Sequence, residues 1–203
     1  MEVYALKVKS NKNVNVFVVE TNIGDYQIHS DCIVKYGIKK GKVQDELFFE
    51  AIEESDRIVA FNLIAKYLSA SMKTEKQIKD YLYKKGYETK TIKSVIEKLK
   101  DYNLIDDKAF AENYININPT FSANKLKQKL YSFGVNKQIV DNLLCDFNDL
   151  EGCETSANKF LKNKPNDQKT KEKLIRHLIN KGYNWSAIGK VVQDCDFNAE
   201  VCE

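Results

Sequence analysis

Two prolines, one tryptophan, two histidines and two arginines among 203 residues leave several functions without residues to perform them. No G-x-x-x-x-G-K-[ST] or G-x-G-x-x-G run occurs, so the chain has no phosphate-cradling loop with which to hold a nucleotide. No apolar run approaches the length that crosses a bilayer, and the first residues lack the charged, apolar and small-residue order of a secretion signal. A cytosolic protein with no membrane contact is expected. The cysteines, Cys32, Cys145, Cys153, Cys195 and Cys202, include no C-x-x-C pair, which argues against zinc and dithiol chemistry and for reduced, structural thiols. Neither His29 nor His177 has a Ser or Cys nucleophile at recognisable spacing. No catalytic residue, metal or cofactor is assigned, and the chain is not expected to be an enzyme.

What the sequence does have is a repeat with a period of 48 residues. Gly86 recurs as Gly134 and Gly182, Ile78 as Leu126 and Leu174, and Leu82 as Leu130 and Leu178. Downstream, Ile92, Val95, Ile96 and Leu99 are answered by Val140, Leu143, Leu144 and Phe147, then by Ile188, Val191, Val192 and Cys195. Offsets of three, four and seven trace one face of an α-helix. Twelve residues before each glycine stands a hydroxyl, Thr74, Ser122 or Thr170, able to accept from the unpaired N–H groups of a first helical turn. Thr74 with Gln77 reads as a capping box. Each unit is therefore a cap, an amphipathic helix, a structural glycine suited to positive φ at the helix end, and a second amphipathic helix.

Such a unit cannot bury its apolar faces alone, so three should stack into an elongated, curved helical array. Repeat one is placed at 60–107 with helices near 60–69, 75–85 and 90–102, repeat two at 108–149 and repeat three at 150–196. Pro119 and Pro165 both fall between first and second helices, where a missing N–H costs least. Residues 45–59 read as a connecting helix, broken near Ser55, and 197–203 as a frayed tail. In 1–44, Val3 to Val8 and Val14 to Val19 form a hairpin around a turn at Asn11-Lys12-Asn13. Tyr26-Gln27-Ile28 reads as a third short strand, followed by a short helix capped by Ser30 and ending at Gly37. The fold class is mainly α, three three-helix repeats behind a small β-hairpin/α element.

Where the charge sits says more than the net +3. Residues 1–59 carry 8 Lys and Arg against 10 acids, and residues 60–203 carry 24 against 19, so the basic excess belongs to the repeats. It concentrates on the second helix of each unit: Lys79 and Lys85; Lys125, Lys127 and Lys129; Lys171, Lys173, Arg176 and Lys181. These are the candidate contacts to a polyanion or an acidic protein surface, against the plainer alternative of a solvated helix face. Asp106-Asp107, an adjacent acid pair that could share a proton or bind a metal, precedes an amphipathic helix and is assigned to capping. Helix, glycine turn and helix also fit a stand-alone helix-turn-helix regulator of nucleic acid.

The stretches Ala65-Lys66-Tyr67-Leu68-Ser69, Thr74-Glu75-Lys76-Gln77-Ile78 through Leu82, Lys85-Gly86-Tyr87 and Leu104-Ile105-Asp106-Asp107-Lys108-Ala109-Phe110-Ala111 resemble the RecX family, regulators of the RecA recombinase. The resemblance covers about residues 45–196, and the N-terminal hairpin is similar to the extension of members from low-GC Gram-positive bacteria. It implies a non-enzymatic modulator acting in DNA repair, recombination and the SOS response; the chain itself is expected to be a monomer. Such a protein binds in the groove of the RecA filament on single-stranded DNA and alters its growth, ATPase and strand exchange, as a rule by inhibition. Bare single-stranded DNA should be bound weakly and without sequence preference.

Overall fold

The computed structural model describes residues 1–10, 13–195 and 197, and the chain divides into two compact units, Met1–Ile105 and Asp106–Glu203. In the first unit, β1 (Glu2–Ser10), β2 (Asn13–Thr21) and β3 (Gly24–His29) form an antiparallel meander, with Leu6 opposite Val19 and Phe17 opposite Ile28. Asn11 and Lys12 of the expected turn lie outside the described residues. A two-residue strand, β4 (Gly41–Lys42), pairs with Glu2 and Val3 on the far edge, giving the order β3-β2-β1-β4. Two residues carry no alternation, so the sequence did not announce it.

Helix α1 (Ser30–Lys35) is capped by His29, not Ser30: Nδ1 of His29 accepts from the Asp31 N–H at 3.3 Å. The expected break near Ser55 is absent, and one helix, α2 (Asp45–Leu68), runs 24 residues. Ser55 is buried inside it because its Oγ accepts the His29 N–H at 2.7 Å, tying the helix to the end of β3. At 1.5 Å per residue α2 is about 36 Å long, enough to serve two cores. Its first half lays Phe48 and Ala51 on Val3, Val19 and Ile28 of the sheet, which is how a hairpin too small to be stable alone is stabilised. Its second half places Ala60 and Ile64 against Ile78 and Leu82 of α3 (Glu75–Lys84) and Ile92, Val95, Ile96 and Leu99 of α4 (Thr89–Asp101).

The second unit holds α5 (Asp107–Asn116), α6 (Ala123–Ser132) and α7 (Lys137–Leu143), then α8 (Leu150–Leu161), α9 (Gln168–Asn180) and α10 (Trp185–Asp194). Leu126, Leu130, Leu174 and Leu178 are fully buried, as are Ile78 and Leu82 in the first unit. Helix α7 stops at Leu143, one turn short of the expected end, and Phe147 reaches the core from irregular chain. The early stop lets residues 144–149 turn back and seat Asp149 between helices. Of the expected tail, Phe197 packs against the repeat-three core instead of fraying, and 198–203 lie outside the described residues. The thiols of Cys32 and Cys153 are buried, and burial pushes each up to about 11; Cys145 is exposed, contrary to a uniformly structural set, and Cys202 is not described.

Thr74 closes a full capping box with Gln77, and Ser122 caps α6 by accepting the Lys125 N–H. Thr170 is not a cap. Asp167, three residues earlier, accepts the Thr170 N–H at 2.6 Å, and the stronger carboxylate cap starts α9 sooner and leaves Thr170 buried in its first turn. Asp106 caps α5 through the N–H groups of Lys108 and Ala109, with Asp107 in the first turn.

Gly86, Gly134 and Gly182 have φ of 87°, 88° and 83°. Each lies one residue past a helix cap, and the following residue donates back to a carbonyl five residues earlier: Tyr87 to Leu82, Val135 to Leu130, Tyr183 to Leu178. Space distinguishes two of them. A Cβ on Gly86 would meet nothing within 4 Å, whereas one on Gly182 would lie 3.0 Å from Ser122 Oγ, which donates to Lys181 O and accepts from Lys125 N. Gly86→Ala and Gly182→Ala should both cost about 1 kcal/mol of left-handed strain, with Gly182→Ala costing about 1 kcal/mol more for the disturbed hydrogen bonds. Equal denaturation midpoints for the two variants would contradict this.

Asp56 on α2 is half-buried, and burial, with Glu88 nearby, raises its carboxyl above the usual range. The native state therefore holds that proton more tightly than the unfolded chain. Stability from this group is lost as pH rises from about 4 through the native titration. Asp56→Asn should raise the melting temperature at pH 7 and give no gain at pH 3, where the parent's carboxyl is protonated folded or unfolded; an equal change at the two pH values would contradict this.

Candidate partner-binding surface

On α6, burial of Leu126 and Leu130 turns Lys125 and Lys129 to one shoulder, four residues apart. On α9, burial of Thr170, Leu174 and Leu178 leaves Lys169, Lys173 and Arg176 facing out. The second unit brings these helices together. Lys125, Lys127 and Lys129 line one depression of about 710 Å³ with Lys181 of the following repeat. Lys173 and Arg176 line another, of about 610 Å³, with Lys164, Lys169 and His177. Lys164 and Asn180 were missed by a reading confined to the cations of second helices. Lys164 stands beside Pro165 in the loop, and its Nζ lies 3.1 Å from the centre of the Phe160 ring.

The assigned cations are not equally available. Lys127 is 3.2 Å from Asp141, which also accepts from the Tyr131 hydroxyl; that hydrogen bond and Lys127 hold the Asp141 carboxyl below its usual range. Lys125 lies over the Phe121 ring at 3.6 Å. Of the three α6 lysines, Lys129 is exposed, whereas Lys125 and Lys127 are half-buried. Arg176 is 3.8 Å from Glu172, a loose exposed pair, and Lys171 is set apart, its Nζ 5.9 Å from the Phe197 ring centre. In the first unit Lys79 is engaged by Glu75 at 2.5 Å, with Lys100 on the same carboxylate at 2.7 Å. Lys85 lies over Tyr81, whose ring stacks on Tyr67 at 4.4 Å. Lys79 and Lys85 of repeat one are thus engaged locally.

His177 stacks on Phe160 with ring centres 4.7 Å apart. Burial, then Lys181 and Lys164, hold its imidazole below the ordinary value, so it is neutral at pH 7 and adds no fixed charge. The only acid on either depression's lining is Asp167, whose carboxyl is held down by its cap to Thr170. The arrangement can bind anionic groups. Among the described residues, no group of three or more metal-ligating side chains is present.

Capped helix, glycine turn and helix, used three times with two lysine-lined depressions in the later two, define a three-helix repeat protein with a basic face. Residues 60–99 match the model for the first three-helix domain of RecX. The chain is 32% identical over 198 residues to the regulatory protein RecX of Clostridium acetobutylicum, covering 92% of this chain and 91% of that one. It is 35% identical over 196 residues to that of Clostridium perfringens, again covering 91% of each. The chain belongs to the RecX family. Its fold is similar to a crystal structure of regulatory protein RecX, with TM-score 0.68, 20% identity and coverage of 95% of this chain and 98% of the other. RecX from Lactobacillus salivarius gives TM-score 0.62 at 24% identity over 70% of this chain and 98% of the other.

Proposed function

We propose that this protein is a monomeric, cytoplasmic, non-enzymatic inhibitor of the RecA recombinase, seating the basic face of repeats two and three on the recombinase filament that covers single-stranded DNA. The observation that carries the reading is the convergence of Lys125, Lys127, Lys129 and Lys181, from two different repeats, on one depression whose lining holds no acid. Complementary charge of this kind raises association rates and selects partners. Membership of a family whose relatives are named regulatory proteins supports it. No helix among the described residues is long and apolar enough to cross a membrane.

The rival, a stand-alone helix-turn-helix regulator, would set the helix after a glycine turn into a DNA groove. In repeats two and three that helix carries a single cation, Lys137 in α7 and Lys190 in α10, and no arginine to read bases. The test is recombinase ATPase on single-stranded DNA with this protein titrated in below stoichiometry. Hydrolysis is expected to fall in proportion to the amount added. An unchanged rate at every ratio would contradict the proposal.

A further inference from the structure

The two basic depressions of the second unit share a lining residue. Asn180, on the last turn of α9, lines both. On one side stand Lys164, Lys169, Lys173 and Arg176, and on the other Lys125, Lys127, Lys129 and Lys181. The cations are strung out, not focused on a point. Lys169 to Arg176 advances about 10 Å along α9, and Lys125 to Lys129 about 6 Å along α6. A compact anion would satisfy one depression and leave the other empty, whereas a ligand whose charge repeats along its length engages both.

The linings also speak to the class of partner. A protein interface needs apolar or aromatic anchors in desolvated pockets. Here the Phe160 ring is engaged by both Lys164 and His177, and the Tyr131 hydroxyl is committed to Asp141. Ile179 is the one aliphatic side chain among the linings of both depressions besides Pro165. A phosphodiester chain needs no such anchor. Arg176 adds a planar fork matched to phosphate oxygens, at one of the two arginine positions in a chain with thirty lysines. A path joining the depressions crosses between α9 and α6 over Asn180, a step of about 10 Å or one helix width, whereas duplex DNA is stiff over about 50 nm.

We propose that the two depressions form one track for the phosphodiester backbone of a single nucleic-acid strand, crossing from repeat three to repeat two over Asn180. This deepens the recombinase reading, since the strand would be the one the filament covers, but it is tested without recombinase. Labelled oligothymidylate is titrated with the protein and binding followed by fluorescence anisotropy over a series of salt concentrations. Lys173→Gln/Arg176→Gln removes two of the four lysine and arginine side chains of one depression, and Lys129→Gln/Lys181→Gln removes two of the four of the other. Lys39→Gln/Lys40→Gln in the first unit is the control, and circular dichroism verifies folding.

Each track pair should weaken binding and lower the salt slope by about 1.4, the loss of two phosphate contacts on a single strand, and the four changes together by about 2.8. The control should leave the slope unchanged. A slope unaltered by either track pair overturns the proposal. So does an equal loss in the control, duplex binding as tight as single strand, or competition by inorganic triphosphate as effective, per phosphate, as competition by the strand. The recombinase assay on the same variants separates the two readings. Lost strand binding with undiminished ATPase inhibition upholds the track and moves the recombinase contact elsewhere. Undiminished strand binding with lost inhibition upholds the recombinase contact and overturns the track.

Discussion

Asp149→Ala is expected to destabilise the second unit by about 3 kcal/mol, which for a protein of this size lowers the melting temperature by roughly 6–12 °C. The carboxylate is 2% exposed and accepts from the Ala123 N–H at 2.7 Å, the Asn184 N–H at 3.2 Å and the Asn184 side-chain amide at 3.1 Å. It therefore satisfies the first turns of α6 and α10, one in each repeat, where backbone N–H groups have no helical partner. Removing it leaves those donors facing a small polar void, and an unsatisfied buried donor costs more than the bond it made was worth. The neighbouring contacts reinforce the junction. The Tyr183 hydroxyl lies 2.6 Å from Thr120 O and 2.8 Å from Gly152 O, and the Asn124 amide donates to Gly182 O at 3.0 Å. Asp167→Ala, which removes a single exposed-side cap, should cost only about 1 kcal/mol. Equal melting temperatures for the two alanine variants would show that Asp149 does no more than an ordinary cap.

Local signals are legible in the sequence. The three glycines, the buried pairs Ile78 and Leu82, Leu126 and Leu130, Leu174 and Leu178, and the Thr74 box all act within six residues of chain. Spacing alone exposes such interactions. Junction residues were not legible in that way. Asp149 reads as the end of a repeat, and its partners stand 26 and 35 residues away. Likewise nothing in the order of residues says that Ser55 will hold the backbone of His29, so a polar residue in α2 looked like a break. The basic surface lies between these cases. Its location on second helices follows from composition, but whether a lysine is free depends on tertiary neighbours: Lys127 meets Asp141 from α7, which no helical spacing reveals. Lys79 meets Glu75 at four residues, a pairing the sequence did contain.

The same reasoning selects the variant with the largest expected effect on function. Lys129, Lys173, Arg176 and Lys181 are exposed and lie outside the buried positions of α6 and α9. Arg176 gives up only a loose pair with Glu172. Changing all four to glutamine should alter stability by no more than about 0.5 kcal/mol per site, since the side chains are at the surface and Lys181 caps α9 through its backbone, which glutamine keeps. It removes four positive charges from the face proposed to meet the filament. Screening makes the consequence diagnostic, because the Debye length of about 8 Å at physiological ionic strength leaves only near contacts effective. The parent's advantage over the variant should be large at low salt and shrink as salt rises.

The most direct measurement is inhibition of recombinase ATPase on single-stranded DNA by the parent and by this four-site variant, compared at equal concentration and low salt. The account predicts that the variant melts with the parent yet loses most of its inhibition. A variant that folds normally and inhibits as strongly as the parent would contradict it, and would place the regulatory contact away from α6 and α9.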